Sequence, residues 1–272
     1  MQGVTAVINC VAGDAGTLVS STRAIVAAGS GNADLRLMHL STMSVYGTAE
    51  GLMSESSPLR ADLGPYSEAK LASEQAVEAC ARAVIFRPGC VFGPDSEQWT
   101  VRMARLLLAH RLGDLGAAGD GYCNLVHVDD VVLAIVRALE TPAADGHVFN
   151  LSTPSPPTWN EFLTGFATAL RAVPVRRIPG WQLRLETKLL APPLKIAEIL
   201  GRKLKLDASR LPPPIPPSLL RLMSQEIRLD TRAVETELGV RWKPLGTSLE
   251  ESARWYFGAH GGASAVSSGP AS

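Results

Sequence analysis

The residues best suited to chemistry in this chain are a tyrosine and a lysine in the segment Tyr66-Ser67-Glu68-Ala69-Lys70. On an α-helix, a spacing of four residues places both side chains on one face, one turn apart. A phenol with a pKa of about 10 is a poor base at neutral pH, and a nearby ammonium favours its phenolate form. The pair therefore predicts a tyrosine that accepts a proton from a substrate hydroxyl while hydride leaves the same carbon.

A second group of polar side chains follows an apolar segment at 35–40, which predicts a strand. The segment runs into Ser41-Thr42-Met43-Ser44, and Tyr46-Gly47 follows. Ligands of open α/β sheets bind at the carboxyl ends of strands. A hydroxyl at that place can hydrogen-bond a reacting oxygen and orient it against the tyrosine. Thr42, twenty-four residues before Tyr66, is the predicted hydroxyl, and the neighbouring Ser41 is its rival.

The elements that must position these groups alternate between strand and helix. Apolar segments predict strands at 4–11, 35–40, 83–86, 90–92, 125–128 and 148–151, and helical spacing predicts helices at 17–28, 67–83 and 129–139. This alternation predicts a doubly wound parallel sheet. Asp129 or Asp130 is expected to cap its helix. Thr158 and Thr247, each followed three residues later by Glu, predict capping boxes.

The segment Arg87-Pro88-Gly89-Cys90-Val91-Phe92-Gly93-Pro94 ends the strand that follows the tyrosine helix. In this order and spacing, the three motifs resemble the extended short-chain dehydrogenase/reductase family, also called the NAD-dependent epimerase/dehydratase family. The resemblance covers residues 3–256 and includes similar segments at 124–130 and 230–249. It implies an α/β fold: a Rossmann-like, doubly wound parallel sheet, truncated at the N-terminus, with a small C-terminal substrate lobe.

The same resemblance implies roles for individual residues. Tyr66 would be the acid/base, Lys70 would lower its pKa and hold the nicotinamide ribose, and Thr42 would complete the catalytic set. It implies NAD or NADP as the cofactor and no metal. The cofactor-binding residues that it implies are Val11, Ala12, Gly13, Ser41, Tyr66, Lys70, Phe86 and Pro88.

The sequence departs from this family in one important respect. The family begins with a strand and a glycine-rich turn, G-x-x-G-x-x-G, whose backbone N–H groups hold the pyrophosphate. None of the predicted strands runs into such a turn, and Gly29-Ser30-Gly31 ends a helix rather than opening one. We therefore expect that roughly 60–80 residues of the complete protein precede this chain, through a misassigned start or a gene fragment. The strand at 4–11 is then expected to be an exposed apolar edge.

Composition limits the alternatives. The 26 Lys and Arg balance the 26 Asp and Glu, so no overall field indicates nucleic acid. Four scattered cysteines without a CxxC pair indicate a reducing cytoplasm and no metal site. Among them Cys10 is expected to be a small buried residue, and His127 a packed core histidine. No segment approaches the roughly 20 apolar residues of a membrane helix.

Two features favour different substrates. The segment 176–230 carries eleven Lys and Arg against five Asp and Glu, which favours an anionic nucleotide, although a solvated helix face or a membrane surface fits it too. The Leu- and Pro-rich segment 181–222 favours a hydrophobic alcohol or ketone.

We therefore expect a partial NAD(P)-binding Rossmann-like domain at 1–152, a substrate-binding lobe at 153–258 and a disordered tail at 259–272. The expected function is that of an NAD(P)-dependent epimerase/dehydratase or dehydrogenase/reductase, which acts at a carbinol carbon of a nucleotide-sugar or of a hydrophobic alcohol or ketone. The alternative is a non-enzymatic fold remnant or a dinucleotide-sensing regulator. The expected partner is a small-molecule substrate, with a possible homodimer, and with no nucleic acid and no integral membrane segment.

Overall fold

The computed structural model describes residues 3–190, 192–194 and 213–260. The chain forms two compact units. The first contains Met1–Val91, Cys123–Pro156 and Gln225–Lys243, and the second contains Phe92–Tyr122, Pro157–Ser224 and Pro244–Ser272. All of the predicted site residues lie in the first unit. The expected domain boundaries at 152/153 and 258/259 stay a prediction.

The first unit is built on a parallel sheet. In chain order, the strands that the structure describes are β1 (Ala6–Asn9), β2 (Arg36–Leu40), β3 (Gly51–Met53), β4 (Ala83–Pro88), β5 (Cys90–Phe92), β6 (Leu125–His127), β7 (Val148–Leu151) and β8 (Ile227–Leu229). Four of them form one sheet in the order β1-β2-β4-β7, and every neighbouring pair is parallel. The pairs β3-β8 and β5-β6 form two small sheets. The predicted α/β fold with a Rossmann-like parallel sheet is confirmed.

Helices follow the strands of the first unit as the alternation predicts. They are α1 (Ala15–Gly29), α2 (Pro65–Val77), α4 (Val128–Glu140) and the short helix Arg232–Glu237. The longer helical elements of the second unit are α3 (Arg102–Leu108), α5 (Trp159–Ala169), α6 (Gly180–Leu185), Pro217–Met223 and Leu245–His260.

Both faces of the four-stranded sheet are covered, which explains why its strands are apolar runs rather than alternating patterns. On one face, Leu37 and Ile85 pack in a cluster with Val77 of α2. On the other face, Met38 and Phe86 belong to a larger cluster that includes residues of α4. Each such side chain contributes about 1.5–3 kcal/mol when it is fully buried. The core therefore fixes the carboxyl ends of β2 and β4, where the predicted site residues lie.

Several predicted boundaries differ from those observed. Helix α2 ends at Val77 rather than 83, because a turn from Val77 O to Cys80 N precedes β4. Helix α1 begins two residues early, since the carboxylate of Asp14 accepts the Thr17 N–H at 2.9 Å and caps it. Strand β4 continues through Arg87 and Pro88, which were expected to lie beyond its end.

The helix caps are partly as predicted. Thr158 forms the expected capping box with Glu161. The predicted Asp129 or Asp130 cap of α4 is wrong: His127 is the N-cap, and its Nδ1 accepts the Asp129 N–H at 3.3 Å. His127 is also buried, as expected of a core histidine. The Thr247 capping box is wrong as well, because Thr247 lies inside the helix Leu245–His260.

Other predictions fall partly outside the described residues. The last helix continues to His260, so residues 259 and 260 of the expected tail are helical, and residues 261–272 lie outside the described part. In the Leu- and Pro-rich segment 181–222, the structure describes most of α6 and the helix Pro217–Met223, while 191 and 195–212 are not described. In the part of the chain that the structure describes, none of the helices has both the length and the apolar character needed to cross a bilayer. Cytoplasmic location and a homodimer stay predictions.

Candidate active site

The tyrosine and the lysine of the predicted catalytic pair lie on α2 but in different environments. Pro65 occupies the first turn of the helix, as its fixed φ favours, and Tyr66 follows it. Tyr66 is 51% exposed, whereas Lys70 is only 6% exposed. The ammonium Nζ of Lys70 donates to the backbone oxygen of Leu40 at 2.8 Å. The helix therefore carries a half-exposed tyrosine and, one turn further on, a buried cation at the end of β2.

Thr42, two residues beyond the end of β2, carries the hydroxyl group that lies next to Tyr66. It has an extended backbone and caps a short 3₁₀ turn at Met43–Tyr46, and its Oγ1 accepts the Ser44 N–H at 3.2 Å. The same hydroxyl lies close enough to the phenolic oxygen of Tyr66 to favour its ionised form. Two hydroxyl groups that lie so close can hydrogen-bond one substrate oxygen together.

Ser41, the predicted rival and cofactor-binding residue, occupies a different place. It is 4% exposed. Its hydroxyl donates to Oε1 of Glu74, and its N–H donates to Phe86 O at 2.8 Å. The Ser41 side chain is therefore part of a buried network rather than a partner of Tyr66. Its contact with a cofactor stays a prediction.

The pKa of Tyr66 differs from the one that the motif predicts. Although half of the residue's surface is exposed, burial around the phenol raises its pKa, and the hydrogen bond from Thr42 only partly opposes this rise. Burial lowers the pKa of Lys70, while the charges of Cys10 and Glu74 raise it. The predicted lowering of the Tyr66 pKa is therefore wrong for the chain as the structure describes it. The charge of Lys70 acts on Cys10 and on His39.

The predicted cofactor turn, Val11, Ala12 and Gly13, follows β1. Val11 is partly buried, whereas Ala12 and Gly13 are exposed. Gly13 has φ +154°, a value that favours glycine, and Asp14 begins the cap of α1 directly after it. The turn therefore offers open backbone beside the helix N-terminus.

Asn9 was missed by the sequence analysis and holds this turn in place. Its Oδ1 accepts the Val11 N–H at 3.2 Å. Its Nδ2 lies 3.0 Å from Nδ1 of His39 on β2 and 3.1 Å from Oγ1 of Thr22. An asparagine inside the otherwise apolar run VTAVINCV was the signal that could have identified it. The neighbouring Cys10 is exposed, so its prediction as a buried residue is wrong.

Phe86 and Pro88 lie at the end of β4, as predicted, but both are buried. The ring of Phe86 packs against Phe149 with ring centroids 6.1 Å apart. Cofactor contact at either residue stays a prediction. Gly89 follows them, and a Cβ there would lie 2.0 Å from the backbone oxygen of Asn124. The glycine of this motif is therefore required by the close approach of two backbone segments.

A sequence profile of the NAD-dependent epimerase/dehydratase family matches residues 2–152, which is more than half of the chain. The chain belongs to this family. None of the curated proteins compared with it is significantly similar in sequence.

Solved structures of similar fold include an epimerase, a dehydratase and an epimerase family protein. UDP-glucuronic acid 4-epimerase from Bacillus cereus, in complex with NAD, has a TM-score of 0.66 and 18% identity, over 91% of this chain and 68% of that one. dTDP-glucose 4,6-dehydratase from Bacillus anthracis, also with NAD, has a TM-score of 0.67 and 17% identity, over 95% and 74%. A human epimerase family protein with NADPH has a TM-score of 0.67 and 19% identity, over 93% and 83%.

The prediction of NAD or NADP is confirmed at the level of this epimerase/dehydratase family, whose description is NAD-dependent and whose structural neighbours hold NAD or NADPH. The described residues fit the nicotinamide and ribose end of such a cofactor. In the described part of the chain, Leu40 O is the one hydrogen-bond acceptor of Lys70 Nζ, which leaves two of its three N–H donors for ribose hydroxyls. The exposed turn at Ala12 and Gly13 leaves room for the ligand.

Proposed function

We propose that the protein oxidises and reduces a carbinol carbon of a nucleotide-sugar, with NAD or NADP as the hydride carrier. The observation that carries this proposal is the position of the Thr42 hydroxyl beside the phenol of Tyr66, with Lys70 one helical turn further along α2. An alcohol that becomes a carbonyl needs one group that moves the hydroxyl proton and another that orients the oxygen. Tyr66 and Thr42 supply these two groups at one place.

When bound, the dinucleotide supplies a hydride acceptor for the substrate C–H. In the oxidising direction, Tyr66 accepts the proton of the substrate hydroxyl while Thr42 hydrogen-bonds the same oxygen. In the reducing direction, the Tyr66 phenol donates its proton to the carbonyl oxygen. Because burial raises the pKa of Tyr66, the phenol is protonated at neutral pH, which is the form needed for reduction.

The choice of a nucleotide-sugar rests on charge and on the neighbours. The excess of Lys and Arg over Asp and Glu at 176–230 suits a diphosphate. The two Bacillus enzymes of similar fold are described as acting on UDP-glucuronic acid and dTDP-glucose. The hydrophobic alcohol or ketone, favoured by the segment 181–222, is the competing substrate class.

The experiment combines the full-length protein with NAD⁺ or NADP⁺ and with UDP-glucose, UDP-glucuronic acid or dTDP-glucose. Proton NMR of the sugar distinguishes an epimerised product from a 4-keto-6-deoxy product. A parallel reaction offers hydrophobic ketones with NADH or NADPH, and Tyr66→Phe serves as the control throughout. Turnover of the ketones alone would refute the substrate class. No turnover at all, or turnover that Tyr66→Phe leaves intact, would contradict the proposed enzymatic function. Either result would favour the alternative of a dinucleotide-sensing regulator.

A further inference from the structure

Three side chains of α2, spaced four residues apart, contact three consecutive residues at the end of β2. The pairs are Tyr66 with the hydroxyl of Thr42, Lys70 with the backbone oxygen of Leu40, and Glu74 with the hydroxyl of Ser41. Residues at this spacing share one helix face. The proposed catalytic pair uses the first two contacts. The third contact also joins α2 to the end of β2, and it belongs to a residue without a role so far.

Glu74 is a fixed buried charge. It is 1% exposed, and the guanidinium of Arg87 on β4 holds its carboxylate. Nε of Arg87 lies 3.1 and 3.2 Å from the two carboxylate oxygens, and Nη2 lies 2.7 Å from Oε2. The third nitrogen of the guanidinium, Nη1, donates to the Tyr46 hydroxyl at 3.1 Å and to Glu55 O at 2.9 Å. Such charge-assisted, forked contacts fix orientation as well as position.

The carboxylate of Glu74 acts on both parts of the proposed site. Through its hydrogen bond to Ser41, it fixes the residue next to Thr42. Its charge also favours the protonated form of Lys70, whose pKa burial would otherwise lower further. The titratable groups that face Lys70 are Cys10 beyond β1, His39 on β2 and Glu74 on its own helix.

We propose that Glu74 is a positioning residue of the Tyr66 site: it holds Ser41, and with it the Thr42 hydroxyl, against α2, and it keeps the Lys70 ammonium charged. This inference rests on the proposed function for its meaning in catalysis. Its two physical parts are measurable without a substrate.

The first experiment uses Cys10 as a reporter of the Lys70 charge. The exposed Cys10 thiol has its pKa raised by burial and lowered by Lys70. Alkylation by iodoacetamide is followed against pH on the chain, and mass spectrometry of the Cys10 peptide separates it from the other three cysteines. In Glu74→Gln, Lys70 loses its proton at lower pH, so the Cys10 alkylation profile moves to higher pH, in the same direction as in Lys70→Met.

A matched control is Asp145→Asn. Asp145 pairs with Arg36 at the opposite end of β2 and also with Arg82. Its substitution removes a largely buried ion pair with a residue of β2, the strand that carries the site. Asp145 itself does not contact the site residues. The Cys10 profile of Asp145→Asn should overlap with that of the parent. A Glu74→Gln profile that also overlaps with the parent would overturn the charge part of the proposal.

The second experiment uses Ser41→Ala, which keeps the Glu74–Arg87 ion pair and therefore folds even where Glu74→Gln does not. The hydrogen bond from Thr42 lowers the pKa of Tyr66. A loosened Thr42 should raise the Tyr66 pKa, measured by NMR of isotope-labelled tyrosine with Tyr66→Phe to assign the signal. Ser41→Ala should leave the Cys10 profile unchanged. An unchanged Tyr66 pKa would overturn the positioning part.

Activity then distinguishes this inference from the proposed function. In the full-length protein, Ser41→Ala and Glu74→Gln should reduce kcat about 10- to 100-fold with little change in KM, because the substrate contacts remain but their alignment is lost. If the parent shows no turnover, the proposed function is wrong. The Cys10 alkylation profile and the Tyr66 pKa still test whether Glu74 positions the site residues. If the parent turns over and both variants match its kcat, this inference alone is wrong.

Discussion

The hydroxyl of Thr42 lies beside the phenolic oxygen of Tyr66 and favours its ionised form, although twenty-four residues separate the two in the chain. The contact exists because β2 and α2 belong to the same unit and Thr42 stands at the carboxyl end of its strand. Side chains from this end of a parallel sheet meet where ligands bind. The first predictions follow from this pair.

Replacement of Tyr66 by Phe should reduce turnover of the full-length protein by about 10²–10⁴-fold, because the phenolic oxygen carries the proton. Cofactor binding should stay within a few-fold, since the ring remains. Steady-state kinetics and calorimetric titration with the dinucleotide measure the two effects. Tyr66 is 51% exposed, so the unfolding free energy should change by no more than about 0.5 kcal/mol. Turnover near that of the parent would exclude Tyr66 as the acid/base.

Replacement of Lys70 by Met should weaken dinucleotide binding and, through it, turnover, because two N–H donors of the ammonium remain for ribose hydroxyls. The pKa of Tyr66 should change little, since the charge of Lys70 acts on Cys10 and on His39 rather than on the phenol. Calorimetric titration with the dinucleotide and the pH–rate profile at saturating cofactor measure the two effects. Unchanged affinity would show that Lys70 acts only in packing, and a profile that moves to higher pH would show that its charge does reach Tyr66.

The chain Met1–Ser272 should bind NAD(H) and NADP(H) weakly. Its one G-x-x-G-x-x-G pattern, at Gly113, Gly116 and Gly119, lies in the second unit, where it follows α3 and includes a 3₁₀ turn at Gly116–Gly119. It does not join a strand to a helix, so it does not supply the turn that holds a pyrophosphate. Hydrogen bonds to charged groups contribute about 1.5–3 kcal/mol each. Three fewer should weaken binding by roughly 4 kcal/mol or more, about a thousandfold. Isothermal titration of the purified chain is the measurement, and micromolar affinity would show that other residues hold the phosphates.

Asp145→Asn should lower stability at neutral pH but not in strong acid. Burial would raise the pKa of Asp145, but hydrogen bonds from Arg82 and Arg36 outweigh it, and the folded-state pKa is lowered. The stability that this carboxylate contributes is therefore present above its unfolded pKa and is lost as pH falls through the folded value. Urea unfolding should show a loss of about 1.5–3 kcal/mol at neutral pH. An equal loss at all pH values would contradict a charge effect.

Gly89→Ala should destabilise the first unit by about 1–3 kcal/mol, because the added Cβ would lie 2.0 Å from Asn124 O and the two backbones must separate. Chemical denaturation measures the effect. Gly246→Ala is the matched control: no atom lies within 4 Å of its Cβ, and the residue is in a helix, where alanine is favoured. Similar losses in both variants would rule out the backbone contact as the cause.

The sequence predicted those parts of the molecule that depend on local patterns. Apolar runs located β2 and β4, and the tyrosine–lysine spacing located the helix that carries the site. The sequence did not predict features that depend on contacts between residues far apart in the chain. Glu74 stands one turn beyond Lys70, but its role depends on Arg87 from β4 and on Ser41 from β2. The predicted cap of α4 was wrong for a similar reason, because the carboxylate of Asp130 accepts the N–H of the distant Lys243 instead of capping its own helix.

The pKa of Tyr66 was mispredicted for a reason of the same kind. Four-residue spacing brings Lys70 near Tyr66, but spacing alone does not show how deeply each group is buried. Lys70 donates to Leu40 O and lies next to Cys10, so its charge acts there. A lower pKa for Tyr66 would require the charge of Lys70 to outweigh the effect of burial on the phenol. The spacing of a motif does not show whether it does.

The position of β1 has a consequence for the motions of the site. Among the described residues, β1 pairs with β2 alone and forms one edge of the four-stranded sheet, and Ile8 on it is 48% exposed. Strand β2, by contrast, has neighbours on both sides. Backbone amides of β1 should therefore exchange with deuterium through small local openings, while those of β2 require a larger unfolding event. The turn at 11–13, which follows β1, should therefore open more readily than the part of the site that follows β2. A ligand that binds at this turn should slow hydrogen exchange in β1 more than in β2.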